Sequence, residues 1–135
     1  MQSSIYIISP VATDPRYKEK RASLTQTAGN FGLQTFYPLD HIDNTDLYST
    51  LAHISAAALV IADLSFERPS CYYELGLVQA TGKATILLAE TNTKIHQSFV
   101  KQGIRFYKSI EEYAHILTND ISKTFGIKNN ANAMQ

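Results

Sequence analysis

Two carboxylates, Asp63 and Glu74, stand between the continuous apolar runs 58–62 and 84–89 and have the widest chemical reach in the chain. With Ser70 as N-cap of a helix over 71–82, Glu74 closes the first turn and can face a crevice at the carboxyl edge of the sheet those runs imply. The positive helix end and its free amides favour the ionised form. An ionised carboxylate in a crevice is a competent nucleophile for a sugar carbon bearing positive charge. The same position also suits a glutamate that only satisfies the helix dipole. Asp63, at the end of the first apolar run, either meets a ligand or caps its own loop.

The neighbouring polar residues carry the same double reading. Ser9, Ser65 and Ser70 offer hydroxyls, and the helix start at 70–72 offers amides, to a 5′-phosphate; each serine is equally an ordinary turn or cap residue. Tyr6, Tyr72 and Tyr73 can stack on a flat ring or act as core residues with a wet hydroxyl. Arg68 can pair with a phosphate or remain solvated on its loop. Cys71 has no adjacent histidine to activate it and reads as a small buried residue. His41, His53, His96 and His115 lack metal-ligand spacing and read as surface or helix residues, so neither a metal nor a cofactor is expected.

The elements that must position these residues alternate along the chain. Runs 58–62 and 84–89 are continuously apolar, as strands covered on both faces of a parallel sheet must be, and residues 71–82 supply the crossover helix. Residues 4–9 form a first strand stopped by Pro10. Asp14 and Pro15 open a helix reaching about Asn30, and 33–37 form a second strand cut by Pro38. Asp43 or Asn44 caps a helix over 44–57 whose stripe is Leu47, Leu51, Ile54 and Ala58. A short helix is expected over 92–102, with Ile95, Phe99 and Val100 as its apolar side, then a fifth strand over 104–107. Ser109 and Glu112 make a capping-box pattern ahead of a last helix over 109–125. Five strands alternating with helices give a flavodoxin-like α/β three-layer sandwich with a parallel sheet of order 2-1-3-4-5. Residues 1–125 read as one domain and 126–135 as a flexible tail.

Composition narrows the class of partner. The 135 residues carry 12 basic and 12 acidic side chains, interspersed rather than clustered. A nucleic-acid or polybasic membrane surface needs a patch of one sign, so neither is expected. One cysteine leaves no internal disulfide. No apolar run approaches the ~20 residues of a membrane span, and no leader pattern is legible at 1–4, so a cytoplasmic protein is expected. Asp63 as a phosphate acceptor would need an acidic pair after the first strand, where Ser9 and Pro10 stand. A dinucleotide oxidoreductase would need a Gly-x-Gly-x-x-Gly there.

Ala62-Asp63-Leu64-Ser65, then Pro69-Ser70, Tyr73-Glu74-Leu75-Gly76 and Gly82-Lys83 before an apolar strand resemble the nucleoside 2-deoxyribosyltransferase-like family. The opening strand ending Ile8-Ser9-Pro10 also looks like that family's start, so the resemblance spans roughly 4–107. It implies a glutamate nucleophile at Glu74 attacking the anomeric carbon of a nucleoside or nucleotide. It further implies a sugar-binding or base-assisting role for Asp63 and substrate contacts from Ser9, Pro10, Ser65, Ser70, Tyr73 and Tyr6. Cys71-Tyr72-Tyr73-Glu74-Leu75 resembles the Cys-x-x-Glu-Leu segment of TIR domains, some of which cleave NAD while others only assemble partners. Both catalytic resemblances imply breakage of an N-glycosidic bond; the TIR-like alternative is a nucleotide-sensing module without turnover. The first resemblance also implies a homodimer or larger homo-oligomer, with 44–57 and 92–102 as the expected contacts.

Overall fold

The computed structural model describes residues 3–41, 46–95 and 103–126. Five strands, β1 (Ser4–Ile8), β2 (Gln34–Phe36), β3 (Leu59–Asp63), β4 (Thr85–Glu90) and β5 (Ile104–Tyr107), form one parallel sheet in the order β2-β1-β3-β4-β5. Among the described residues four helices cover it: α1 (Tyr17–Asn30), α2 (Leu47–Ala56), α3 (Pro69–Thr81) and α4 (Ile110–Phe125). The expected fold class and strand order are therefore observed. Among the described residues no helix is long and apolar enough to cross a membrane.

Strand alternation divides the core into two layers. Ile5, Ile7, Leu59 and Ile61 pack with Leu24 and Ala28 of α1 and Tyr113, Leu117 and Ile121 of α4. Tyr6, Ile8, Val60 and Ala62 pack on the other face with Ile54 of α2 and Cys71, Leu75 and Val78 of α3. All five residues of β3 are buried, which is why its sequence runs apolar without alternation until Asp63.

Several helix ends differ from the sequence expectation. α1 starts at Tyr17, because Asp14 does not cap it: its Oδ1 accepts the Arg16 N–H at 2.9 Å and its Oδ2 holds Lys20 Nζ at 2.5 Å. α2 is capped by Asp46, whose carboxylate accepts the Ser49 N–H at 2.8 Å; Asp43 and Asn44 lie outside the described residues. Its expected stripe is only partly inward, since Ile54 is buried while Leu47 is 45% exposed. α3 begins at Pro69 with Arg68 in the cap position, so Ser70 lies inside the helix and caps nothing. Proline suits that first position because it lacks the N–H the helix would leave unpaired. Ser109 does cap α4, accepting from Glu112 N–H, and Glu112 reciprocates on the Lys108 N–H. Residues 92–95 are not helical, and 96–102 and 127–135 lie outside the described residues.

Candidate functional site

Glu74 lies in the second turn of α3, and its side chain points at the sheet rather than at solvent. The Tyr6 hydroxyl donates to Glu74 Oε2 at 2.6 Å, joining α3 to the middle of β1. Tyr6 is buried, and its ring stacks on Phe36 of β2 at 5.7 Å between centroids. That packing takes up the ring, so Tyr6 serves as a hydrogen-bond donor to the carboxylate and not as a stacking surface. Phe36 in turn stacks with His41 at 4.7 Å and His53 at 4.3 Å, a convergence of two histidines that sequence spacing did not suggest.

The electrostatics of Glu74 run against the sequence expectation. Burial raises its pKa above the ordinary carboxylate value, and the Tyr6 hydrogen bond opposes that only in part. The helix dipole weakens beyond the first turn, and Glu74 stands past it, so desolvation dominates. Tyr6 is itself pushed well above the ordinary phenol value, by burial first and then by Glu74, so it remains a donor.

Asp63 reaches the same carboxyl edge of the sheet from the opposite face. Its Oδ1 accepts the Ser65 N–H at 2.9 Å and its Oδ2 accepts the Tyr107 hydroxyl at 2.6 Å. Lys20 Nζ lies 3.7 Å from Asp63, 2.5 Å from Asp14 and 2.7 Å from Glu90, and Arg16 adds a 2.8 Å ion pair to Glu90. Burial pulls the Lys20 pKa down, but the three carboxylates outweigh it and hold the ammonium above the ordinary lysine value. Burial likewise pushes Glu90 up, and Lys20 and Arg16 hold it below its usual range.

The remaining sequence candidates divide between these two halves. Ser9 and Pro10 line a narrow cleft with Asp14, Lys20 and Asp63, on the Asp63 side. Ser65 is buried, its Oγ accepting the Glu90 N–H at 2.8 Å, so its hydroxyl braces the loop. Ser70 is exposed on α3, and Tyr73 is 62% exposed. Tyr72 donates to Glu67 at 2.5 Å, which ties the loop 64–68 to α3. Cys71 is buried, with its thiol pushed up to about 12 by burial and then by Glu74 and Asp63, so it is a poor nucleophile. Lys20, Glu90 and Tyr107 escaped the sequence reading, and Asp14 entered it only as a residue opening a helix. Glu90 and Tyr107 shared one signal, a polar or phenolic residue ending an apolar strand.

No protein-family model matches the chain, and no curated protein matches it by sequence. Solved structures do resemble it. A Clostridium botulinum CMP N-glycosidase superposes with a TM-score of 0.62 at 17% identity, covering 85% of this chain and 98% of that one. A 2-deoxyribosyltransferase from Leishmania mexicana gives a TM-score of 0.62 at 19% identity, with 85% and 97% covered. One from Bacillus psychrosaccharolyticus gives 0.63 at 16% identity, with 94% and 98% covered. At these identities the likeness is one of fold.

Two outcomes follow from the charges. Lys20→Met should cost about 3–5 kcal/mol in urea unfolding at neutral pH, because it leaves Asp14 and Asp63 buried beside Glu90 without their cation; a loss under 1 kcal/mol would contradict the cluster's role. Glu74 is raised when folded, so the native state holds its proton to higher pH and stability falls as pH rises from the ordinary carboxylate range through the raised value. Glu74→Gln lacks that loss and should gain on wild type as pH rises through that interval; a gap moving the other way would show that the carboxylate is stabilising.

Proposed function

We propose that the chain cleaves or transfers at the N-glycosidic bond of a nucleoside or nucleotide, with Glu74 as the nucleophile. The observation that carries this is the Tyr6–Glu74 hydrogen bond at 2.6 Å, a partly buried carboxylate aimed at β1 from α3. β1 and β3 are the strands from which the chain winds in opposite directions, and ligands of open α/β sheets bind at the carboxyl ends of such a pair. Three structural neighbours are a CMP N-glycosidase and two 2-deoxyribosyltransferases, and this supports the reading without assigning a residue.

In the proposed reaction a Glu74 oxygen forms a bond to the anomeric carbon as the carbon–nitrogen bond breaks, and that electron pair leaves on the base nitrogen, which takes up a proton. Water, or the ring nitrogen of a second base, then displaces Glu74 from the same carbon. Tyr6 fixes the carboxylate's orientation and, by donating to it, stabilises the ionised form that attacks. Asp63 contributes through the loop it pins at Ser65, with direct contact to the sugar or leaving base as its further assignment. Ser9, Pro10, Ser70 and Tyr73 are assigned to the substrate's periphery. The exposed Leu47 and Tyr48 at the start of α2 support a homodimer formed through that helix, so sedimentation at micromolar concentration should return a mass above that of one 15.1 kDa chain.

The test is release of free base from a panel of nucleosides, nucleotides and NAD. Glu74→Gln should lose at least ~10³-fold in turnover with affinity nearly kept, the pattern of an interaction made in the transition state. Asp63→Asn should be the milder lesion. Tyr6→Phe removes the bond that lowers the Glu74 pKa, so the rising limb of its pH–rate profile should move to higher pH. Normal turnover by Glu74→Gln would refute the assignment. Binding without base release from any substrate would make the chain a nucleotide-sensing module of the TIR-like kind.

A further inference from the structure

Phe66 is held in a backbone conformation that its side chain opposes. Its φ is 64° and ψ 4°, and Glu67 beside it has φ 46°, so two consecutive non-glycine residues occupy the left-handed region. That region is unfavourable for an ordinary side chain, and glycine or asparagine would relieve the strain. The bonds on either side hold it there. Asp63 holds the Ser65 N–H, the Glu90 N–H holds Ser65 Oγ, the Glu67 N–H closes on the Leu64 carbonyl at 3.1 Å, and Tyr72 holds the Glu67 carboxylate.

The ring repays little of this to the fold. It is 45% exposed and makes no part of either core layer. Its contact with Lys20 is 5.9 Å to the centroid, at the outer limit of a cation–π interaction, while the same ammonium already binds two carboxylates and lies closer to the Tyr107 ring. Among the described residues, then, these contacts give little return for an aromatic ring at this position.

What adjoins the ring is a groove of about 370 Å³ at the carboxyl edge, between the loop after β3 and the loop after β4. Thr91, Asn92, Thr93 and Lys94 line it together with Phe66. Asn92 is also left-handed, with φ 78°, and is exposed. An exposed carboxamide carries both donors and an acceptor, the complement of a heterocycle's hydrogen-bonding edge. A flat apolar ring with such an edge nearby is how proteins hold a base by its face and its rim.

We infer that Phe66 and the groove beside it bind a flat heteroaromatic ring, specifically a purine or pyrimidine base, by stacking on Phe66 with the base edge toward Asn92. Only the choice of nucleobases over other flat heterocycles rests on the glycosidic reading. Phe66 would then be a specificity-determining residue whose backbone strain buys ligand contact.

The experiment titrates adenine, cytosine and cytidine, with ribose 5-phosphate as the ring-free control, against the full chain by calorimetry. Each titration is repeated on Glu74→Gln, where turnover does not intervene, and melting temperature is measured for every variant. Phe66→Gly should melt at or above the wild-type temperature and bind the ring-bearing probes about tenfold or more weakly, while Phe66→Trp should stay near wild type. Ribose 5-phosphate should respond to neither substitution. Unchanged ring affinity in Phe66→Gly would overturn the inference, as would a melting temperature that falls along with affinity, or a wild type that binds none of the ring-bearing probes. Ring binding that depends on Phe66 in a chain that releases no base would uphold this inference and remove only the glycosidic reading.

Discussion

One buried ammonium holds the carboxyl edge of the sheet together. Lys20 rises from α1 into contact with Asp14 after β1, Asp63 at the end of β3 and Glu90 at the end of β4, and it lies 5.1 Å from the Tyr107 ring at the end of β5. A lysine this buried would cost several kcal/mol in desolvation if unpaired. Distributed over three carboxylates, its charge ties together strand ends that the Tyr107–Asp63 and Glu90–Ser65 hydrogen bonds also join. The loop after β3 is tied to it through Asp63, whose Oδ1 accepts the Ser65 N–H.

The period of two along each strand then separates the chemistry into two halves. Tyr6 and Glu74 belong to the face covered by α2 and α3, whereas Asp63, Lys20 and Tyr107 belong to the face covered by α1 and α4. The halves also differ in charge state. On one side a carboxylate stands among apolar neighbours with a single phenol as partner, and burial raises its pKa. On the other, carboxylates surround a cation, and Glu90 is lowered.

The loop from Leu64 to Arg68 joins these halves. It begins under the Lys20 cluster and ends at the first turn of α3, so the position of Glu74 depends on it through one short helical segment. Its left-handed residues are affordable only because both ends are anchored, at Ser65 by Asp63 and at Glu67 by Tyr72. A fold shared with proteins at 16–19% identity says little about function by itself, and what distinguishes this chain lies in these few residues.

Strand positions and their order were legible in the sequence. Continuous apolar runs at 58–62 and 84–89, with a helix-length segment between them, admit few arrangements other than a buried parallel sheet. For Glu74 the sequence offered a crevice-facing carboxylate at the end of a first turn capped by Ser70, whereas it stands in the second turn, beside the buried Cys71 and Leu75. Its protonation preference was not legible: dipole and desolvation oppose each other, and only the depth of burial decides between them. Ser70 failed as a cap because Pro69 had already begun the helix. The Lys20 cluster and the Tyr6–Glu74 pair were invisible for another reason. Their partners lie 6, 43, 70 and 68 residues apart along the chain, and local pattern carries no information about which strand ends meet. Sequence by itself determined the elements and their layering, because those follow from periodicity and apolar burial. Which charges neutralise one another, and which face of the sheet each carboxylate serves, only tertiary packing decided, because electrostatic pairing depends on distance in space.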